Sequence, residues 1–192
     1  MFVYFGVPFI TYIALGICIA DYIYMNKLSK TTNVLDASMQ CGALYRPAVT
    51  ERKQYWRLIS AGFVHFSILH LLCNCYVLFS LGSSMEAAFG HLLYALLLFG
   101  SIIIGNIFSV YMSEDYAITG GMSGGMYGLI AAELTMYVAV YGIDALMKNA
   151  SILSMILLNL MMNFFPNVNR KAHLGGTCMG ILFITLLLRF LS

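Results

Sequence analysis

Apolar residues in this chain neither alternate nor follow a narrow amphipathic stripe; they come in long blocks. Six blocks, at about residues 4–25, 64–83, 91–112, 122–141, 145–162 and 173–191, are each mostly apolar throughout. Each is near the about 20 residues that a helix needs to cross a bilayer. The pattern predicts an all-α membrane protein, one compact bundle of six spanning helices over residues 1–192. The first block reads as a retained helix, because nothing basic precedes Lys27 and the apolar run outlasts the core of a cleaved signal. Internal repeats and low-complexity tracts are absent from the sequence, and Pro8, Pro47 and Pro166 make no linker. Between the first two blocks, residues 25–63 hold six of the ten Lys and Arg together with Tyr45, Tyr55 and Trp56. A connection of that length points to a functional or separately folded segment.

Composition strengthens the membrane reading. Hydrophobic residues make up 61% of the 192 and charged residues 9%, with a mean hydropathy of +0.86. Soluble domains carry about 25% charged residues, so water is excluded as the main solvent of this surface and the lipid bilayer is the expected one. A formal charge of +2 with no basic stripe excludes nucleic acid as a partner. Five Cys, mostly inside apolar runs, suit neither a disulfide framework nor a zinc site. Cys73 and Cys75 diverge on a helix, and no metal or other cofactor is implied. Of the Lys and Arg, eight lie after the first, third and fifth blocks: Lys27, Lys30, Arg46, Arg52, Lys53, Arg57, Arg170 and Lys171. Taken alone, the positive-inside rule puts those loops in the cytoplasm.

Polar side chains inside spanning segments are costly and are functional candidates. The second block carries His65, His70 and Asn74, the fourth Ser123, Tyr127 and Glu133, and the sixth opens at His173. Residues four apart share a helix face, which pairs His70 with Asn74 and Ser123 with Tyr127. Ser123 stands in the glycine-dense run Thr119-Gly120-Gly121-Met122-Ser123-Gly124-Gly125-Met126-Tyr127-Gly128. Gly121/Gly125 and Gly124/Gly128 are small-residue pairs of the type used at membrane helix contacts, and Gly176/Gly180 is a matching pair one turn beyond His173. Packing of these faces brings Ser123 to His173, a nucleophile to a base. Singly, each residue has a plainer use: Ser123 as a small packing residue, His173 as a helix start, His70 and Asn74 as an interhelical hydrogen-bonding pair. Glu133, about 15 Å of helix rise from Ser123, reads as structural. The Gly-x-Ser-x-Gly string is no nucleophile elbow, which needs a parallel sheet.

Taken together and in order, these motifs resemble the rhomboid family of intramembrane serine proteases. Trp56-Arg57 resembles the pair in that family's first loop, and His65 with His70-Leu71-Leu72-Cys73-Asn74 its second-helix signature. Glu86-Ala87-Ala88-Phe89-Gly90 is similar to its Glu-x-x-x-Gly, Gly121-Met122-Ser123-Gly124 to its Gly-x-Ser-Gly box, and Ala172-His173-Leu174-Gly175-Gly176 to its Ala-His-x-x-Gly. The resemblance implies a six-transmembrane-helix rhomboid-like bundle with a Ser123-His173 dyad and no third carboxylate. It further implies an oxyanion held by His70, Asn74 and the backbone N–H of Ser123, with Tyr127 packed on the His173 ring and Gly121 in support. The sequence has no Asp or Glu near His173, and the first polar residue downstream is Thr177. His65 is expected to be structural. Implied substrates are transmembrane segments of other membrane proteins, unwound locally at the cut, with a small residue on its acyl side. The family topology places the first loop on the outer face, against the charge count. Asn163 to Lys171, with Phe164, Phe165 and Pro166, is expected to cap the site. Two other readings are a catalytically inactive relative that binds client transmembrane helices and a transporter, for which no inverted repeat speaks.

Overall fold

The computed structural model describes residues 6–112, 117–164 and 168–191. Its first helix, α1 (Phe9–Leu28), fully buries only Thr11, Ala14, Cys18 and Met25, one narrow stripe flanked by the partly buried Ile10, Leu15 and Tyr22. A carboxylate holds its leading end. Glu86, fully buried, accepts from Ile10 N (3.0 Å), Thr11 N (2.8 Å) and Thr11 Oγ1 (2.7 Å). Those amides belong to the first turn, where a helix lacks internal acceptors and favours negative charge. His91 Nδ1 lies 2.6 Å from the same carboxylate.

Residues between α1 and the next long helix fold into short elements. Asn33 caps α2 (Val34–Gln40) by accepting from Asp36 N. The strand β1 (Leu44–Tyr45) leads into α3 (Arg46–Thr50), and α4 (Arg57–Ser60) follows. Antiparallel pairing of β1 with β2 (Ile118–Thr119), Leu44 opposite Thr119, ties this loop to the approach to Ser123. Arg57 fastens the loop internally. Its guanidinium lies 4.5 Å over the Trp56 ring and donates to Gln54 Oε1 (2.6 Å), Met39 O (3.0 Å) and Ala43 O (2.8 Å). Burial, and less strongly the charge of Arg52, pull it below the usual guanidinium range, a cost that the three acceptors offset. An Arg57→Lys variant keeps the charge but cannot fork to three acceptors. It is expected to lose about 1–3 kcal/mol in thermal or denaturant unfolding; wild-type stability would show that the fork carries nothing.

Beyond the loop, α5 (Ile68–Val77), capped by Ser67, runs through a wide π-type turn at Leu78–Gly82 into α6 (Ser83–Met112). Gly90 breaks α6 with φ 76° and ψ 166°, a conformation that suits glycine. The chain reverses there: a Cβ on Gly82 would come within 2.6 Å of Tyr94 Oη, a contact that an unbroken helix cannot make. α7 (Ser123–Tyr141), α8 (Ile143–Lys148), α9 (Ala150–Met162) and α10 (Arg170–Leu191) complete the order. The core lies where α6, α7 and α10 meet, around Tyr94, Leu97, Leu98, Ile102, Leu129 and Ile184.

Phe9–Leu28, Ile68–Met112 and Arg170–Phe190 are three helices long and apolar enough to cross a membrane among the described residues. The helix expected over 145–162 is not continuous. Asn149, at φ −92° and ψ 93°, ends α8 and caps α9 by accepting from Ile152 N, leaving α9 with 13 residues. An asparagine at this position satisfies the first-turn amides of a new helix better than it continues an old one. Helix starts also move: the block from 64 becomes helical only at Ile68, and the last helix begins at Arg170, one turn before His173.

Candidate active site

Ser123 is the first residue of α7, and the two glycines before it bring the backbone in close. Gly121 N donates to Ala61 O at 2.8 Å. At φ 123° Gly121 suits only glycine, and a Cβ there would also lie 2.8 Å from His70 Nε2. The His70 ring therefore lies against Gly121, two residues before the serine. His173 sits in the first turn of α10. Asn169 sets that turn, accepting from Ala172 N at 3.1 Å while its amide donates to Ser109 Oγ (2.7 Å) and Thr119 Oγ1 (3.2 Å).

These placements put His173 Nε2 2.9 Å from Ser123 Oγ, with His173 buried at 6% exposure. The Tyr127 ring stacks on the imidazole, with centroids 3.9 Å apart and planes 11° from parallel. What brings the two helices so close is backbone against backbone. A Cβ on Gly176 would fall on the Gly124 carbonyl, and one on Gly180 on the Gly128 carbonyl. Of the glycine pairs in the sequence, Gly124/Gly128 faces Gly176/Gly180, whereas Gly125 turns toward Ile102 and Leu98 of α6 and Gly121 precedes the helix.

His70 and Asn74 stand on α5, and Asn74 Nδ2 donates to His70 O at 2.9 Å, leaving the second amide hydrogen for another acceptor. His65 is fully buried, its Nδ1 2.8 Å from Phe63 O and its ring edge-on to His70 at 5.0 Å. Glu133 is half-buried further along α7. Among the described residues no group of three or more His, Cys, Asp or Glu is arranged to hold a metal ion.

One neighbour of the pair enters the sequence reading only as the first residue of the expected cap. Asn163 Oδ1 lies 2.7 Å from His173 Nδ1, and Asn163 Nδ2 donates to Tyr127 Oη at 2.8 Å. Asn163 comes ten residues before His173, just past the end of α9, where helix spacing rules no longer apply. The only available signal was a polar residue closing an apolar block. Of the expected cap, Asn163, Phe164 and residues 168–171 are described, while Phe165 and Pro166 lie outside the described residues. A cavity of about 150 Å³ opens beneath Tyr127, lined by Ile130, Leu134, Asn159, Leu160 and Thr177.

Comparison with known sequences matches residues 52–190 to the rhomboid domain. RHOMBOID-like protein 5 of Arabidopsis thaliana is 35% identical over 155 residues, which is 77% of this chain and 49% of that protein. A Bacillus subtilis protein named "Putative rhomboid protease YdcA" is 33% identical over 132 residues, covering 67% of this chain and 65% of that one. Inactive RHOMBOID-like protein 8 of Arabidopsis thaliana is 29% identical over 138 residues, 70% of this chain and 39% of its own. The chain thus spans about half the length of the first of these relatives. The domain match and the long apolar helices make the protein an integral membrane protein of several passes. With the match covering most of its length, the chain belongs to the rhomboid family.

Proposed function

We propose that this chain is an intramembrane serine endopeptidase that cuts transmembrane segments of other membrane proteins with Ser123 and His173. The observation that carries the reading is the 2.9 Å contact between Ser123 Oγ and His173 Nε2 in a bundle made mostly of apolar helices. Family membership alone does not carry it, since one relative is named inactive. In the reaction Ser123 Oγ attacks the scissile carbonyl as His173 Nε2 takes its proton. The tetrahedral oxyanion is held by the Ser123 backbone N–H at the positive end of α7, with His70 and Asn74 as side-chain donors. Collapse expels the amine, which receives the proton from His173, and water then hydrolyses the acyl-enzyme. Tyr127 holds the imidazole in plane throughout.

The same reading takes residues 1–192 as one domain with six passes. Ile68–Met112, at about 1.5 Å per residue, is about twice the length that a bilayer core needs, and the reversal at Gly90 makes it two passes. α7 is a fourth, α8 with α9 an interrupted fifth. A substrate helix must unwind before attack, because its peptide groups are shielded by their own hydrogen bonds.

The test is a fluorophosphonate probe on the purified protein in detergent. Wild type is expected to label, and Ser123→Ala and His173→Ala are not. A folded wild-type protein that stays unlabelled would leave the inactive, client-binding reading in its place.

A further inference from the structure

We infer that Asn163 is a positioning residue that fixes the His173 tautomer, through a hydrogen-bond chain whose direction is set by the backbone carbonyl of Asn159. The inference rests on the protease reading for its consequence, though not for its geometry. A carbonyl oxygen only accepts, so the direction of each bond follows in turn from Asn159 O. Tyr127 Oη donates to Asn159 O. Its oxygen is then the acceptor for Asn163 Nδ2 at 2.8 Å, and the same nitrogen lies 3.2 Å from Asn159 O. An atom beside that carbonyl must be a donor, so it is the amide nitrogen, which leaves Oδ1 as the atom facing His173 Nδ1 at 2.7 Å. Nδ1 must be the protonated nitrogen, and Nε2 presents a lone pair to the Ser123 hydroxyl at 2.9 Å.

That is the tautomer a general base requires, obtained here without a carboxylate. In hydrolases with a third acidic residue, the acid both orients the imidazole and stabilises its charged form. A neutral amide supplies only orientation. Tyr127 therefore has two contacts with the pair: its ring against His173 and its hydroxyl against the amide that faces His173. Asn163 is itself anchored to α10, because Arg170 Nε donates to its carbonyl at 2.6 Å. The arrangement links the end of α9 to the imidazole on α10, while Tyr127 and Asn159 also line the cavity between α7 and α9.

The test combines a spectrum with kinetics, on the full chain in detergent micelles with 15N-labelled histidine. Long-range proton–nitrogen correlation reads which ring nitrogen of His173 carries hydrogen, with assignment from a His173→Ala spectrum. Wild type is expected to show hydrogen on Nδ1 alone. Asn163→Leu is expected to show a mixture of tautomers and a turnover of a helical substrate lowered by about 10- to 100-fold in kcat with KM unchanged. Asn163→Asp keeps an acceptor opposite Nδ1 and is expected to restore both the tautomer and most of the turnover. Hydrogen on Nε2 in the wild type, or an unchanged tautomer in Asn163→Leu, would overturn the inference, as would Asn163→Asp failing to restore what Asn163→Leu loses. The spectrum can be read in protein that cleaves nothing, so an unlabelled Ser123 would end the protease reading and leave the tautomer assignment to stand or fall separately.

Discussion

Ser123→Ala and His173→Ala are each expected to lower cleavage by about 10⁴- to 10⁶-fold, and the double variant no further. The reason is the single contact between them. Without Oγ the imidazole has no proton to take, and without Nε2 at 2.9 Å the hydroxyl is not activated, so either loss removes the whole step. On the proposed function, what survives belongs to the oxyanion donors, the Ser123 N–H with His70 and Asn74, and is shared by all three variants. Initial rates on a quenched transmembrane peptide in micelles measure this directly. Two effects that multiply in the double variant would mean that the residues act independently and would remove the dyad.

Gly176→Val is expected to cost about 3 kcal/mol, near the upper end for overpacking, which lowers the melting temperature by roughly 6–12 °C for a domain of this size. The Gly124 carbonyl occupies the space a side chain would need, and carbonyl and helix cannot yield without moving α7 from α10. The same displacement separates Ser123 from His173, and misplacement by about 1 Å costs about 100-fold in rate. Gly16→Ala is the matched control, for nothing lies within 4 Å of a Cβ there. Thermal unfolding in detergent together with turnover checks both; a Gly176→Val protein that melts and cleaves as wild type would mean the helices are not in backbone contact.

Legibility in the sequence followed the reach of each rule. Helix spacing within one segment pairs Ser123 with Tyr127, and small-residue spacing on two segments leads to the α7–α10 contact. It does not tell which of two overlapping pairs is used, because the choice depends on where the helix begins: Gly121 sits before Ser123 with φ 123° and so lies off the face. Block length alone does not reveal an internal cap, and Asn149 is hidden within an apolar run. Asn163 escaped for a further reason. The notion that His173 has a polar partner directs attention along its own helix, to Thr177, whereas the partner closes in from the previous helix across a turn. The length of the first loop points to a functional or separately folded segment, but its attachment through β1 to the segment before Ser123 joins residues far apart in sequence, which no local pattern encodes.

The wide turn at Leu78–Gly82 sets a phase. The buried positions Leu71, Asn74, Leu78, Gly82 and Glu86 end in three successive steps of four, and each such step carries a regular α-helix about 40° past a full turn. The wider turn absorbs that drift, so Asn74 near one end and Glu86 at the other can face inward together. With every residue kept but the turn in ordinary α pitch, Glu86 would stand about 120° round the helix axis from Asn74. Either the amides of Ile10 and Thr11 would lose their carboxylate, or His70 and Asn74 would turn toward lipid. The five residues of this turn thus act as a clutch plate between the anchor of α1 and the helix face that carries His70 and Asn74, and straightening the turn into ordinary α pitch, even with every residue kept, would disengage one from the other.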